Sequence, residues 1–161
     1  IINRCGVITG PWQMGKVDQG VFVLWVARHI FGGKLSYIGY GGQGHQVRDF
    51  IHIDDLFDLL DIQINNINQF TGNTYNVGGG IKNSVSLKEL TAMCEKVTGK
   101  RIHINSVSKA RQADLKLFVT NSEKIKTLAK WKPKKDLEKT IIDIAKWINE
   151  NKELLRPILS S

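Results

Sequence analysis

Three short apolar runs in this chain each stop at glycine. Ile1 to Ile8 ends at Thr9-Gly10-Pro11, Leu35 to Ile38 at Gly39 to Gly44, and Thr74 to Val77 at Gly78-Gly79-Gly80. Short apolar runs bounded by glycine and proline read as strands. The segments between them carry helical patterns, so strands and helices alternate, which argues an α/β fold with crossover helices.

The helices announce themselves by their ends. Asp18 to Ile30 suits a helix; its run Val21–Ala27 is apolar without a break, which predicts burial on more than one side, and Gly32-Gly33 stops it. Asp54 caps a helix to about residue 65, with Leu56, Leu59, Leu60 and Ile64 on one face. Ser86 and Glu89 form a capping box ahead of the stripe Leu87, Leu90, Met93, Cys94 and Val97, and Gly99 ends that helix. Thr120 and Glu123 predict a second box, opening a helix with Ile125 and Leu128 that Trp131-Lys132-Pro133 breaks. The last helix starts near Asp136 and buries Leu137, Ile141, Ile144, Ala145 and Ile148. Arg101 to Asn105 is a further strand. Val47 to Ile53 reads as a strand returning from Leu35–Ile38, so 35–53 is expected to be a hairpin.

At 161 residues, 42% hydrophobic and 24% charged, the chain has the composition of an ordinary globular domain, not of disorder or low complexity. No apolar run is long enough to span a bilayer. The opening Ile1-Ile2-Asn3-Arg4 reads as the middle of a strand, and the expectation is a piece of a longer protein. The net charge of +8 falls wholly within residues 100–161. A basic tail can bind nucleic acid by counterion release; Trp131 alone among the lysines favours a solvated helix face instead, or a positive field that draws in a small anion. Cys5 and Cys94 have no C-x-x-C spacing, which points to a reducing, cytoplasmic compartment. The four histidines lack zinc-site spacing.

Gly39-Tyr40-Gly41-Gly42-Gln43-Gly44 fits G-x-G-x-x-G, but a strand follows where a dinucleotide fingerprint needs a helix, so it is read as a turn. Arg48 has the planar fork that grips a phosphate, with Asp49 to hold it; a purely structural Arg–Asp pair is the equal alternative. Arg111 lies in a loop, as a second phosphate ligand or an exposed loop arginine. Gln19 offers both donor and acceptor to a sugar or base. His52 reads as a packed or helix-capping residue.

Taken together, Thr9-Gly10-Pro11, Gly39…Gly44…Arg48-Asp49-Phe50-Ile51-His52-Ile53-Asp54-Asp55-Leu56, Tyr75-Asn76-Val77-Gly78-Gly79, Ser86-Leu87-x-Glu89-Leu90, Arg111-x-x-Asp114 and Trp131-x-Pro133 resemble the C-terminal part of the extended short-chain dehydrogenase/reductase family, the NAD-dependent epimerases and dehydratases. Asp18-Gln19-Gly20, Gln46-Val47-Arg48-Asp49 and Asn83-Ser84-x-Ser86-Leu87 are most similar to a branch acting on CDP-sugars. The resemblance implies an α/β fold made of the C-terminal portion of a Rossmann-type NAD(P)-binding epimerase. Remnants of the parallel sheet (1–11 and 50–79) belong to the dinucleotide-binding domain, and a small α/β substrate domain (12–49 and 80–161) accompanies them. It implies NAD as cofactor and a nucleotide-sugar as partner, a CDP-sugar by preference, with no nucleic acid or membrane partner and a homo-oligomer for the whole enzyme. Arg48 and Arg111 would clamp the two phosphates. Gln19, Gly20, Ser36 and Ile38 would frame the nucleotide, Phe118 would lie near the phosphates or sugar, and Cys5, Gly6 and Val7 would run beside the nicotinamide. The family's catalytic Tyr-x-x-x-Lys is not in this chain: Tyr37, Tyr40 and Tyr75 each have Gly four positions on. The sheet remnants are expected to expose apolar surface and strand edges. Two further readings stay open: a UDP-sugar 4-epimerase or nucleotide-sugar 4,6-dehydratase of the same family, and a non-catalytic nucleotide-sugar or nucleic-acid binding domain.

Overall fold

The run Ile1–Ile8 forms two strands rather than one, because it changes partners midway. In the computed structural model, which describes residues 1–16, 19–110, 112 and 114–160, β1 (Ile2–Cys5) lies parallel to β5 (Thr74–Val77). The next strand, β2 (Val7–Thr9), lies parallel to β4 (Val47–His52). Gly6 stands at the fork and donates its N–H to the Val77 carbonyl at 2.8 Å. A Cβ there would sit 2.9 Å from the Thr120 hydroxyl and 3.3 Å from the Asp49 carboxylate, so the close approach needs glycine.

β4 is the hub of the molecule. Besides β2 it pairs antiparallel with β6 (Ser84–Ser86) and parallel with β8 (Leu117–Phe118). The expected hairpin 35–53 is not formed: β3 (Leu35–Ile38) pairs parallel with β7 (Ile104–Val107) in a separate sheet. A hairpin needs a tight reversal that leaves its strands side by side. Here Tyr40–Gly42 turns into a single 3₁₀ turn packed onto β7, so close that a Cβ on Gly42 would meet Ser106 Oγ at 2.0 Å. The strand expected at 101–105 is β7, displaced toward Val107.

α1 (Val21–Phe31) is buried on nearly every side, as its unbroken apolar run requires. It packs against α4 (Leu87–Thr98), α6 (Leu137–Glu150) and α7 (Lys152–Leu159). α1 begins at Val21 behind Gly20, and Asp18, the expected cap, lies outside the described residues. The α4 capping box is present: Glu89 N–H donates to Ser86 Oγ at 3.2 Å, and Ser86 N–H donates to the Glu89 carboxylate at 2.8 Å. Asp136 caps α6 by accepting from Lys139 N–H at 3.0 Å. The second expected box fails. α5 (Glu123–Ala129) starts after Ser122, and Thr120 spends its hydroxyl on Asp49 instead.

α2 (Ile53–Asn65) is capped by His52, whose Nδ1 accepts from Asp54 N–H at 3.1 Å; Asp54 itself is inside the helix. Leu56 and Leu59 are buried, but Leu60 and Ile64, expected on the same face, are exposed. They join Ile53, Phe57 and Ile67, the first residue of the short helix α3 (Ile67–Phe70), in an uncovered apolar stripe. Among the described residues β1 is bordered only by β5, and Ile2 is 61% exposed. The described residues form two cores. The larger joins α1, α4, α6 and α7 to Phe50 and Val85, and the smaller joins Ile51, Leu56, Leu59, Phe70, Tyr75, Val77, Ile125 and Trp131. Among the described residues no helix is long and apolar enough to cross a membrane.

Candidate functional site

A cavity of about 790 Å³ opens where the start of α1, the end of β3 and the middle of the β2–β4–β6 sheet meet. Seven of the residues singled out from sequence line it: Gly6, Val7, Gln19, Gly20, Ser36, Ile38 and Arg48. Cys5 and Phe118 do not. Cys5 ends β1, and partial burial pushes its thiol up, which keeps it protonated and a poor nucleophile at neutral pH. Phe118 sits on β8, in register with Arg48 but outside the lining. Arg111 lies outside the described residues.

Arg48 is held on three sides. Its guanidinium donates to Asp114 Oδ1 at 2.8 Å, to the Val47 carbonyl at 2.8 Å, and to the Leu115 carbonyl. The Arg48–Asp49 pair weighed from sequence is not formed. Successive side chains of a strand point to opposite faces, so Asp49 turns inward while Arg48 turns to the cavity. Asp49 is fully buried; one carboxylate oxygen accepts the Thr120 N–H and hydroxyl, both at 3.0 Å, and the other accepts Gly80 N–H at 3.1 Å.

The polar wall is built by backbone. Gln19 is fixed by a reciprocal bridge with Lys16, N–H to carbonyl at 2.7 and 3.2 Å. Gly20 then opens α1 with no side-chain cap, and no acidic residue follows in the first turn. The first N–H groups of a helix have no partner within it, and the helix dipole makes such a start attractive to anions. Opposite, Gln46 donates its amide to the Ile38 carbonyl. Gln46, Gln13, Trp25, Lys34 and Asp114 also line the cavity and were not singled out from sequence as site residues. Asp114 lies 66 residues from Arg48, and no local pattern joins them.

A second polar cluster lies away from this cavity. His52 faces Asp54 and Asp143 at 3.6 Å each, and Lys135 Nζ bridges the two carboxylates at 2.7 and 2.5 Å. The ammonium already supplies the positive charge these acids need. Burial first, and Lys135 second, hold the His52 imidazole below its ordinary value.

The fold is shared with Rossmann-type epimerases and dehydratases. Against UDP-glucuronic acid 4-epimerase from Bacillus cereus, solved with UDP-glucuronic acid and NAD, the TM-score is 0.79 at 24% identity, covering 93% of this chain and 45% of that one. Against dTDP-glucose 4,6-dehydratase from Bacillus anthracis, solved with NAD, it is 0.76 at 26% identity, covering 97% and 46%. In sequence, the chain is 31% identical over 137 residues to CDP-paratose 2-epimerase of Salmonella typhi, covering 83% of this chain and 40% of that protein. It is 30% identical over 159 residues to UDP-glucuronate 4-epimerase of Thermodesulfobacterium geofontis, covering 98% and 45%. Residues 2–144 match the family described as GDP-mannose 4,6 dehydratase, and the chain belongs to that family of NAD-dependent nucleotide-sugar epimerases and dehydratases. It spans less than half the length of these relatives.

Proposed function

We propose that this chain is the nucleotide-sugar-holding part of an NAD-dependent epimerase, of the type that inverts a CDP-sugar at C2, as in CDP-paratose 2-epimerase. One observation carries the reading: a single cavity brings an immobilised guanidinium, Arg48, together with an uncapped helix start and the polar groups of Gln19 and Ser36. That combination suits a diphosphate joined to a nucleoside. Asp114 orients the Arg48 fork, so little rotamer freedom is lost when phosphate binds. Arg111 is the second phosphate ligand in this reading. Gln19, Gly20, Ser36 and Ile38 frame the nucleotide, and Phe118 lies near the phosphates or sugar. Residues 12–49 and 80–161 form the substrate domain, and 1–11 and 50–79 belong with the dinucleotide-binding part.

The residues present fit one end of NAD only. β1 and β5 end side by side and glycines follow at Gly6 and Gly78, at a fork of the strand order where α/β sheets place ligands. Cys5, Gly6 and Val7 would hold the nicotinamide end there. The Gly39–Gly44 loop leads into a 3₁₀ turn and a strand, so it offers no helix start for the pyrophosphate. When bound, NAD supplies the hydride acceptor and donor that let C2 be oxidised and then reduced from the other face. The family's proton-transferring Tyr-x-x-x-Lys is not in this sequence, so the chain by itself is expected to show no turnover.

Calorimetry with CDP tests the site. Arg48→Ala is expected to weaken binding by about tenfold or more, the worth of a charge-assisted hydrogen bond. Unchanged affinity removes Arg48 from the site, and epimerisation of a CDP-sugar by the purified chain with NAD refutes the expected inactivity. A UDP-sugar 4-epimerase is the second reading, favoured by the longer match to the UDP-glucuronate enzyme; tighter binding of UDP than of CDP would select it.

A further inference from the structure

Gln46 lies one residue before β4 and is only 7% exposed. Its side-chain nitrogen donates to the Ile38 carbonyl at the end of β3. A carbonyl can only accept, so this bond fixes which end of the amide faces β3. The other end, Oε1, is buried and has no hydrogen-bond partner among the described residues. A buried acceptor left unpaired costs free energy that a donor on a ligand recovers. His29 and Trp147 also hold a buried ring nitrogen with no hydrogen-bond partner among the described residues, but neither lines the cavity. Gln46 does, beside Ser36, Ile38, Gln19 and Arg48.

We propose, resting on the nucleotide-sugar reading of this cavity, that Gln46 is its base-selecting residue: Oε1 accepts an N–H from the exocyclic amine of cytosine. Cytosine presents an amino group where uracil and thymine present a carbonyl oxygen. Two acceptors brought face to face cannot bond, and the buried oxygen stays unpaired. A site built around a hydrogen bond rejects an analogue that lacks the partner group more strongly than an apolar pocket rejects a change of size.

The test titrates CDP, UDP and N4,N4-dimethyl-CDP into the full chain and into Gln46→Met, at one salt concentration. The dimethyl compound keeps the ring and the diphosphate and removes both N–H donors. CDP is expected to bind about tenfold more tightly than either of the others. In Gln46→Met, which has similar length and no strong acceptor, the three affinities converge, chiefly through loss of CDP binding. Equal binding of CDP and its dimethyl derivative overturns the inference without any variant, so a misfolded Gln46→Met does not shelter it. A variant that folds and keeps the CDP preference overturns it too, while the nucleotide-sugar reading stands. If none of the three binds, that reading falls, and this inference with it.

Discussion

Asp49 is a carboxylate sealed from water whose two oxygens accept three hydrogen bonds, from Thr120 N–H, the Thr120 hydroxyl and Gly80 N–H. It ties the hub strand β4 to the loop after β5 and to the segment before α5. Asp114, at the rim, does a different job: it orients the Arg48 guanidinium and remains partly exposed. Their amide variants should therefore behave differently. Asp49→Asn keeps the shape but turns a donor onto a buried donor, and is expected to cost about 1–3 kcal/mol, read as a lower urea midpoint at unchanged slope. Asp114→Asn keeps an acceptor for Arg48 in a screened setting, so its midpoint should stay near wild type. Equal losses in both variants would contradict this division. From the sequence Arg48 stood out by its type as a candidate phosphate ligand, with Asp49 as its neighbour by adjacency; in the structure its partner is Asp114. The real partner was not legible, because Asp114 lies 66 residues on and comes beside Arg48 through the long-range parallel pairing of β4 with β8. Gln46 was hidden for the same reason: its meaning depends on the end of β3.

At the level of elements, signals confined to one turn were readable. Ser86 with Glu89 and Asp136 ahead of α6 form the expected caps, since each needs residues only three apart. Thr120 with Glu123 has the same spacing and forms no cap, because Asp49 competes for the Thr120 hydroxyl. The β3–β4 hairpin failed likewise; each strand is claimed by a partner far along the chain. α2 shows how a cap becomes a pH dependence. His52 Nδ1 accepts from Asp54 N–H, which requires an unprotonated nitrogen. Asp54 and Asp55 from α2, Asp143 from α6 and Lys135 face the ring. Burial and Lys135 outweigh the acids, so the folded-state value lies below the ordinary 6.5. The unfolded chain then binds the proton more readily. Stability from this group is complete above about pH 6.5 and falls as pH drops toward the folded-state value. His52→Asn keeps a capping acceptor without a titrating ring. Its melting temperature should fall less than wild type's between pH 7 and pH 5, the window around the histidine reference value of about 6.5. Parallel slopes would place the acid sensitivity elsewhere.

For the whole molecule, the open question is what meets the uncovered face. Ile53, Phe57, Leu60, Ile64 and Ile67 follow one another at alternating steps of four and three along α2 and α3, the spacing of a helical seam. Sequence periodicity allowed Leu60 and Ile64 to share the buried face with Leu56 and Leu59. The small core around Tyr75, Val77 and Trp131 takes up Leu56 and Leu59, with Ile62 packed at its margin, and periodicity alone cannot choose between two adjacent stripes. Phe57 and Ile64 remain 67% and 69% exposed. Contiguous apolar surface of this kind drives association in water. Sedimentation velocity on the purified chain should show mass rising with concentration. The double variant Phe57→Lys, Ile64→Lys should sediment as a monomer over the same range, with its melting temperature held, since neither side chain belongs to a core. The free edge of β1 offers a competing route through strand pairing. Ile2→Lys separates the two: if it abolishes association and the helix variant does not, the sheet edge is the sticky element and the stripe is not.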